Sequence, residues 1–99
     1  MFAQVIEAAW SPADRAEVMR IVREDLIPAL RNEEGFSGAV GMVEAGTGRA
    51  MMIAFWERAA QAVIPPAQRG HAFRAALADL EARSAQPRSI STWEVGIEL

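Results

Sequence analysis

A chain of 99 residues without cysteine and with a net charge of −3 excludes several classes of protein at once. Disulfides, thiolate catalysis and cysteine-based metal sites are excluded because there is no cysteine. Basic residues are interspersed with acidic ones, so we expect no nucleic-acid partner. No apolar run approaches the length of a membrane span, and we expect a cytoplasmic protein without a membrane partner.

The hydrophobic content is high for so short a chain. Residues 1–99 suit a single domain, which buries only about 60–65% of its unfolded surface. Yet 52% of the residues are hydrophobic, above the usual ~45–50%. This excess predicts an apolar surface that a second copy of the chain covers, that is, a homodimer.

The first predicted element is a strand over residues 2–10. Its alternation places Gln4 on one face, together with Phe2, and Glu7 on the other, among small residues. Both faces of a central strand are covered in a layered fold, so we expect both polar side chains in a buried layer.

A helix is predicted from Ser11 to about Glu34. Ser11 suits the N-cap and Pro12 the first helical position. We expect Pro28 to kink this helix, because proline removes a backbone hydrogen bond and clashes with the preceding turn. Gly35 is expected to end it in the left-handed conformation.

The rest of the chain alternates strands and helices. Residues 36–45 and 50–57 are predicted strands that form a hairpin around the turn 46–49. A short helix is predicted over 57–64, ended by Pro65 and Pro66. A longer helix over 67–85, ended by Gln86 and Pro87, precedes a last strand over 89–99.

The order β-α-β-β-α-β predicts a ferredoxin-like α+β fold. A four-stranded antiparallel sheet would carry both helices on one face, with the first and third strands in the centre. The third strand, AMMIAFWE at 50–57, is apolar until Glu57, so neither of its faces suits water. Each large apolar side chain left exposed would forfeit ~1.5–3 kcal/mol. The helices cover one face, and we expect a second subunit to cover the other.

Two short motifs carry a family resemblance. The helix-to-strand junction Glu34-Gly35-Phe36-Ser37-Gly38 and the strand end Phe55-Trp56-Glu57, together with the order of elements and the length, resemble the antibiotic biosynthesis monooxygenase family. The resemblance implies a dimeric α/β barrel with a pocket between sheet and helices in each subunit. It also implies cofactor-independent oxygenation of aromatic or quinol-type compounds, the activity of some members. Two of the three elements that haem-degrading members share are missing, since the one Asn is Asn32 and no Trp lies between 56 and 93, and the third, His71, comes early in its helix.

Five residues are candidates for a site. Glu7, which burial would suit to act as a base, and His71, a proton shuttle in the family picture, are the catalytic candidates. Gln4, Trp56 and Phe73 are the candidates for a ligand pocket, where Trp56 would stack on a flat ligand. Each also has a structural alternative: an ion pair for Glu7, a bond across the dimer for Gln4, an exposed position for His71, and core packing for the aromatics.

Three functional hypotheses follow. In the first, the protein is a cofactor-independent monooxygenase of a small aromatic compound. In the second, it binds such a compound without catalysis. In the third, it is a structural dimer, and its own side chains fill the pocket. We expect no metal, because a single histidine without cysteine offers no ligand set. The sequence also contains no phosphate loop or dinucleotide-binding motif, so we expect no bound cofactor.

Overall fold

A computed structural model describes residues 1–84 and 88–97, which form a four-stranded antiparallel sheet packed against helices. The strand order is β2-β3-β1-β4, so the predicted central strands are confirmed. The strands are β1 (Phe2–Ala9), β2 (Phe36–Val43), β3 (Arg49–Trp56) and β4 (Ser89–Glu94). The helices are α1 (Arg15–Ile21), α2 (Ile27–Arg31), α3 (Ala59–Ala62) and α4 (His71–Ala82). Short 3₁₀ turns at Pro12–Asp14 and Pro66–Gln68 precede α1 and α4.

The first helical region is not one regular helix. It starts as predicted at Ser11, whose hydroxyl accepts a hydrogen bond from the Ala13 N–H. A π-helical turn, Val22–Leu26, separates α1 from α2. The ring of Pro28 clashes with the carbonyl four residues earlier, which lies inside this turn, and the wider turn accommodates it. The helix ends at Arg31, before the predicted Glu34, and Gly35 follows with a φ of 81°.

The second long helix begins later than predicted. α4 starts at His71, and the predicted start at residue 67 is wrong because Arg69 and Gly70 have extended backbones. Glycine is a poor helix former, and the Gly70 N–H donates to Glu33 Oε1 at 2.8 Å instead of joining a helical ladder. The predicted helix end at 85–87 lies outside the described residues. β4 ends at Glu94, earlier than predicted, and residues 98–99 also lie outside the described part.

The helices cover one face of the sheet. The core lies between that face and the helices, and its fully buried side chains include Ile21, Leu26, Leu30, Trp56 and Phe73. On the opposite face, Val40, Met42 and Trp93 are 47%, 46% and 60% exposed. No described element covers that face, which also carries Val5 and Ile53. We call it the open face.

Candidate functional site

A cavity of about 80 Å³ lies between the sheet and the helices, near the turn that joins β2 to β3. Ile6, Ala8 and Met52 contribute from the sheet, and Val18 and Leu77 from the helices. The lining is almost entirely apolar. This is the kind of pocket that the family resemblance implies, between the sheet and the helices of one subunit.

The most flexible side chains in this lining are methionines. Two methionine side chains line the cavity, Met19 from α1 and Met52 from β3; Met42 and Met51 border it, but strand alternation places their side chains on the open face. Methionine is unbranched and its thioether is polarisable, so it adjusts to ligands of different shape and contacts aromatic rings favourably. At about 80 Å³ the cavity is smaller than the ~150 Å³ engineered cavity that holds benzene. A single aromatic ring therefore enters only if some of these side chains rotate.

Polar groups enter the lining at one end only. Glu81 at the end of α4, Ser84 and Arg88 lie there. Arg88 forms an ion pair with Glu81, and the Ser84 hydroxyl donates to the Ala9 carbonyl at 3.1 Å. Nearby, the Trp10 indole N–H donates to the Leu80 carbonyl at 2.9 Å, which fixes the indole as a wall of the cavity. A ligand would thus meet apolar walls and a charged rim.

The three predicted pocket residues meet each other elsewhere, around Arg69. Its guanidinium lies 4.0 Å from the centre of the Trp56 ring and 5.9 Å from that of Phe73. Arg69 Nη2 donates to Gln4 Oε1 at 3.3 Å and to the Gln61 carbonyl at 3.1 Å. All three predicted residues are at most 2% exposed. None of them lines the cavity, and their role as ligand contacts stays a prediction.

Arg69 is a buried cation that sequence reasoning missed. It is 5% exposed, and none of the ion pairs in the described residues includes it. Burial lowers the pKa of its guanidinium, while the charge of Glu33 acts in the opposite direction. Its Nε and the indole nitrogen of Trp56 are both buried without a hydrogen-bond partner in the described residues. The only signal in the sequence was Gly70, which interrupts the helical pattern directly after it.

Gln4 completes this cluster. Its Nε2 donates to the Ile64 carbonyl at 2.9 Å, and its Oε1 accepts from Arg69. Both ends of the amide are therefore satisfied within the subunit, by the segment that follows α3. The cluster ties that segment to the central strand β1.

Glu7 lies on the open face, half-buried, between Met51 and Ser89 of the neighbouring strands. It borders an open depression of about 450 Å³ that also includes Arg49 and Glu44. The salt bridges of the described residues do not include Glu7, and Arg49 pairs with Glu44 at 3.6 Å. A second subunit on the open face would bury Glu7 further.

His71 is the exposed first residue of α4. It lines none of the cavities described above. Its predicted role as a proton shuttle stays a prediction. Within the described ranges, no group of three or more His, Cys, Asp or Glu residues could hold a metal ion. None of the helices in that part of the chain is long and apolar enough to cross a membrane.

Comparison with solved structures identifies the class of fold. An antibiotic biosynthesis monooxygenase superposes with a TM-score of 0.75 at 18% identity, covering 96% of this chain and 98% of the other. A variant of SnoaB, a cofactor-independent oxygenase from Streptomyces nogalater, gives 0.74 at 17% identity, with 99% and 95% covered. A protein of unknown function from Nitrosomonas europaea gives 0.74 at 14% identity, with 99% and 91% covered.

These similarities confirm the predicted fold. The chain has the ferredoxin-like α+β fold of antibiotic biosynthesis monooxygenases over nearly its whole length. No family model and no curated protein matches its sequence. The neighbours include an oxygenase and a protein of unknown function, so the fold is compatible with more than one role.

Proposed function

We propose that this protein is a cofactor-independent monooxygenase that acts on a small aromatic or quinol-type compound, and that it works as a homodimer. The observation that carries the proposal is the apolar cavity between sheet and helices, with a charged rim at one end. Pockets for small molecules combine apolar walls with a few polar groups in this way. The fold shared with a cofactor-independent oxygenase supports the choice of reaction.

The proposed reaction needs no external reductant. A phenol with a free ring position reacts with one O₂ to give a quinone and one water. The substrate loses four electrons and O₂ gains them; one oxygen atom forms the new carbonyl, and the other leaves as water with two hydrogen atoms from the substrate. The protein would hold the ring, exclude bulk water and fix the orientation of the phenol oxygen.

Oxygen uptake and isotope labelling test this reaction. We expect uptake with some members of a panel of phenols and hydroquinones, and one ¹⁸O atom from ¹⁸O₂ in each quinone. Ala50→Leu, which adds bulk to the cavity wall, should abolish turnover, whereas Val63→Leu, at an exposed position, should not. Uptake that is absent with every compound, or unchanged in Ala50→Leu, would contradict the proposal.

The catalytic candidates are tested in the same assay. Glu7→Gln or His71→Ala should lower the oxygen uptake if the predicted base or shuttle acts in the reaction. Since neither residue lines the cavity, a normal rate in both variants would assign the chemistry to the cavity and its bound substrate alone. In that case the predicted roles of Glu7 and His71 would be wrong.

A non-catalytic binder is the second candidate, and the flexible side chains of Met19 and Met52 in the lining favour it. Methionine surfaces adapt to several ligands and carry no acid or base. Saturable binding of the same compounds, seen as a rise in the unfolding temperature without oxygen uptake, would identify this function.

The homodimer is proposed from the open face. Large apolar side chains there, Val40, Met42 and Trp93 among them, are about half exposed, and contiguous patches of this kind mark interfaces. Every copy carries the same face, so one two-fold symmetric contact buries the open face of both subunits. Light scattering should give twice the chain mass of 10.8 kDa. Val40→Glu should split the dimer, whereas Val63→Glu, on another surface, should not; a wild-type monomer at micromolar concentration would refute the proposal.

A further inference from the structure

One large side chain on the open face lies mostly in solvent. Trp93 of β4 is 60% exposed, more than Val40 or Met42 on the same face. Its indole N–H donates to the Ser91 hydroxyl of the same strand at 2.8 Å. An aromatic side chain of this size offers about 150–250 Å² of surface for burial, and most of that surface is unused in the single subunit.

The same face contains a hollow with a free carboxylate. The depression of about 450 Å³ that Glu7 borders has about three times the ~150 Å³ that hold a benzene ring. We call it the Glu7 hollow. Among the described residues, no hydrogen bond or salt bridge includes the Glu7 carboxylate. Arg49, the cation of this hollow, pairs with Glu44 instead.

Trp93 does not reach the hollow of its own subunit. In the pairing of β1 with β4, Glu7 is opposite Ser89, whereas Trp93 is opposite Ala3. The step from Ser89 to Trp93 spans about 13 Å along the strand, at ~3.3 Å per residue. Trp93 is accordingly not part of the lining of the Glu7 hollow. Only a second copy of the chain brings this ring and this hollow together.

We propose that Trp93 of each subunit inserts into the Glu7 hollow of the other subunit, where its indole N–H exchanges the Ser91 hydroxyl for the Glu7 carboxylate. This inference rests on the proposed homodimer and names the contact that holds it together. A two-fold axis that lies between the two sheets, perpendicular to the line from ring to hollow, forms this contact twice. A hydrogen bond to a carboxylate is charge-assisted and stronger than one to a hydroxyl.

The dissociation constant of the dimer, measured by sedimentation equilibrium, tests the insertion. Trp93→Ala should weaken the dimer at least about tenfold, because aromatic residues that fill pockets dominate the affinity of interfaces. Ile90→Ala is the matched control, since Ile90 lies on β4 opposite Ile6, a residue of the cavity on the helix-facing side. It should leave the dimer unchanged. Circular dichroism shows that both variants are folded.

Tryptophan fluorescence reports the same contact without a loss of the ring. Trp56 is fully buried within each subunit and Trp10 is held by the Leu80 carbonyl, so neither changes its surroundings when the dimer forms. We expect the emission of the wild-type protein to shift to shorter wavelength as the dimer forms with rising concentration. Trp93→Phe should abolish this shift.

A mixture of two variants tests whether ring and hollow belong to different subunits. Ser89→Phe blocks the Glu7 hollow at an exposed position and should also weaken the dimer. In a heterodimer of Ser89→Phe with Trp93→Ala, one intact ring meets one intact hollow, and the blocked hollow meets the truncated side chain. Native mass spectrometry should therefore show more heterodimer than the two homodimers together.

Substitution of Glu7 tests the hydrogen bond. Glu7→Gln replaces the charged acceptor by a neutral one and should weaken the wild-type dimer. In the Trp93→Phe background, which lacks the indole N–H, it should not weaken the dimer further. Glu7 and Trp93 are too far apart within one subunit to interact, so a non-additive effect arises across the interface.

The outcomes separate the two proposals. If the wild-type protein is a monomer, the proposed homodimer falls together with this inference. If Trp93→Ala or Ser89→Phe dimerises as tightly as the wild type, or if the heterodimer shows no excess, the insertion is wrong while the homodimer stands. An equal effect of Glu7→Gln in both backgrounds would overturn the hydrogen bond to Glu7.

Discussion

Replacing Arg69 should destabilise the fold more than replacing any exposed arginine. Arg69→Met keeps the apolar stem of the side chain but removes the guanidinium. Gln4 Oε1 then loses the donor it has in Arg69, whereas the Gln61 carbonyl keeps the Ile64 N–H at 3.4 Å. A buried acceptor without a partner costs about 1–3 kcal/mol, and the stacking on Trp56 at 4.0 Å adds about 0.5–2 kcal/mol.

An opposing contribution limits this loss. Removing a buried charge also removes the cost of its desolvation, the effect that lowers the pKa of Arg69. We therefore expect a net loss of about 2–4 kcal/mol in the free energy of unfolding, out of the ~5–15 kcal/mol of a typical domain. Urea unfolding followed by far-ultraviolet circular dichroism measures it. Arg74→Met, at an exposed position of α4, is the control and should change stability by less than about 0.5 kcal/mol.

A double-mutant cycle tests the mechanism itself. Gln4→Leu removes one acceptor of Arg69, so Gln4→Leu and Arg69→Met should be non-additive, with a coupling of about 0.5–3 kcal/mol. Additive effects would show that the two side chains stabilise the protein independently. A loss below about 1 kcal/mol in Arg69→Met would refute the idea that this buried cation holds the segment after α3 against β1.

Two further predictions concern the turns and the surface. Gly35→Ala should cost about 1–3 kcal/mol, because φ is 81° and a Cβ would meet the Gln61 side chain. Gly96→Ala, where a Cβ would have no atom of the described residues within 4 Å, should be near neutral in the same urea titration, and equal losses would contradict this. The hydrogen bond from Arg20 holds the pKa of Glu17 below its ordinary value of 4.5. The unfolded chain therefore takes up this proton first, and the stabilising contribution of Glu17, present above pH 4.5, should disappear as the pH falls through the folded pKa. Glu17→Gln should flatten acid unfolding curves below pH 4.5 at low salt, and identical curves for the two proteins would refute the assignment.

The topology follows from the hydrophobic pattern of the sequence and from the residues that begin or end its helices. Alternation is clear only in the last strand; apolar runs bounded by turn residues indicate the other strands, and Ser11, Gly35 and the pair Pro65-Pro66 mark where helices begin or end. Such signals are local, and the short chain leaves few ways to pair the resulting strands. The same signals also indicated the open face, because β3 carries large apolar residues on both sides.

Arg69 could not be predicted in the same way. A helix over residues 67–85 places an arginine on its surface, the usual location for this residue. Two extended residues, Arg69 and Gly70, instead turn the side chain inward onto Trp56. Burial of a cation depends on a partner surface that only the folded sheet creates. The sequence therefore indicated Gln4, Trp56 and Phe73 one by one, without the residue that connects them.

The location of the cavity follows from strand pairing. At one end of the helix-facing layer, Phe2 is opposite Trp56, and these large rings leave little space. At the other end Ala8 is opposite Ala50, and Gly41 on the next strand has no side chain at all. The side chains that fill this layer become smaller along the sheet, from an indole ring to a methyl group. If the distance between sheet and helices stays the same, a void remains under the helices. Small residues are individually unremarkable in a sequence, and they create a site here because Ala8 and Ala50 pair across β1 and β3, and Gly41 lies two residues along β2 from Val43, the partner of Ala50.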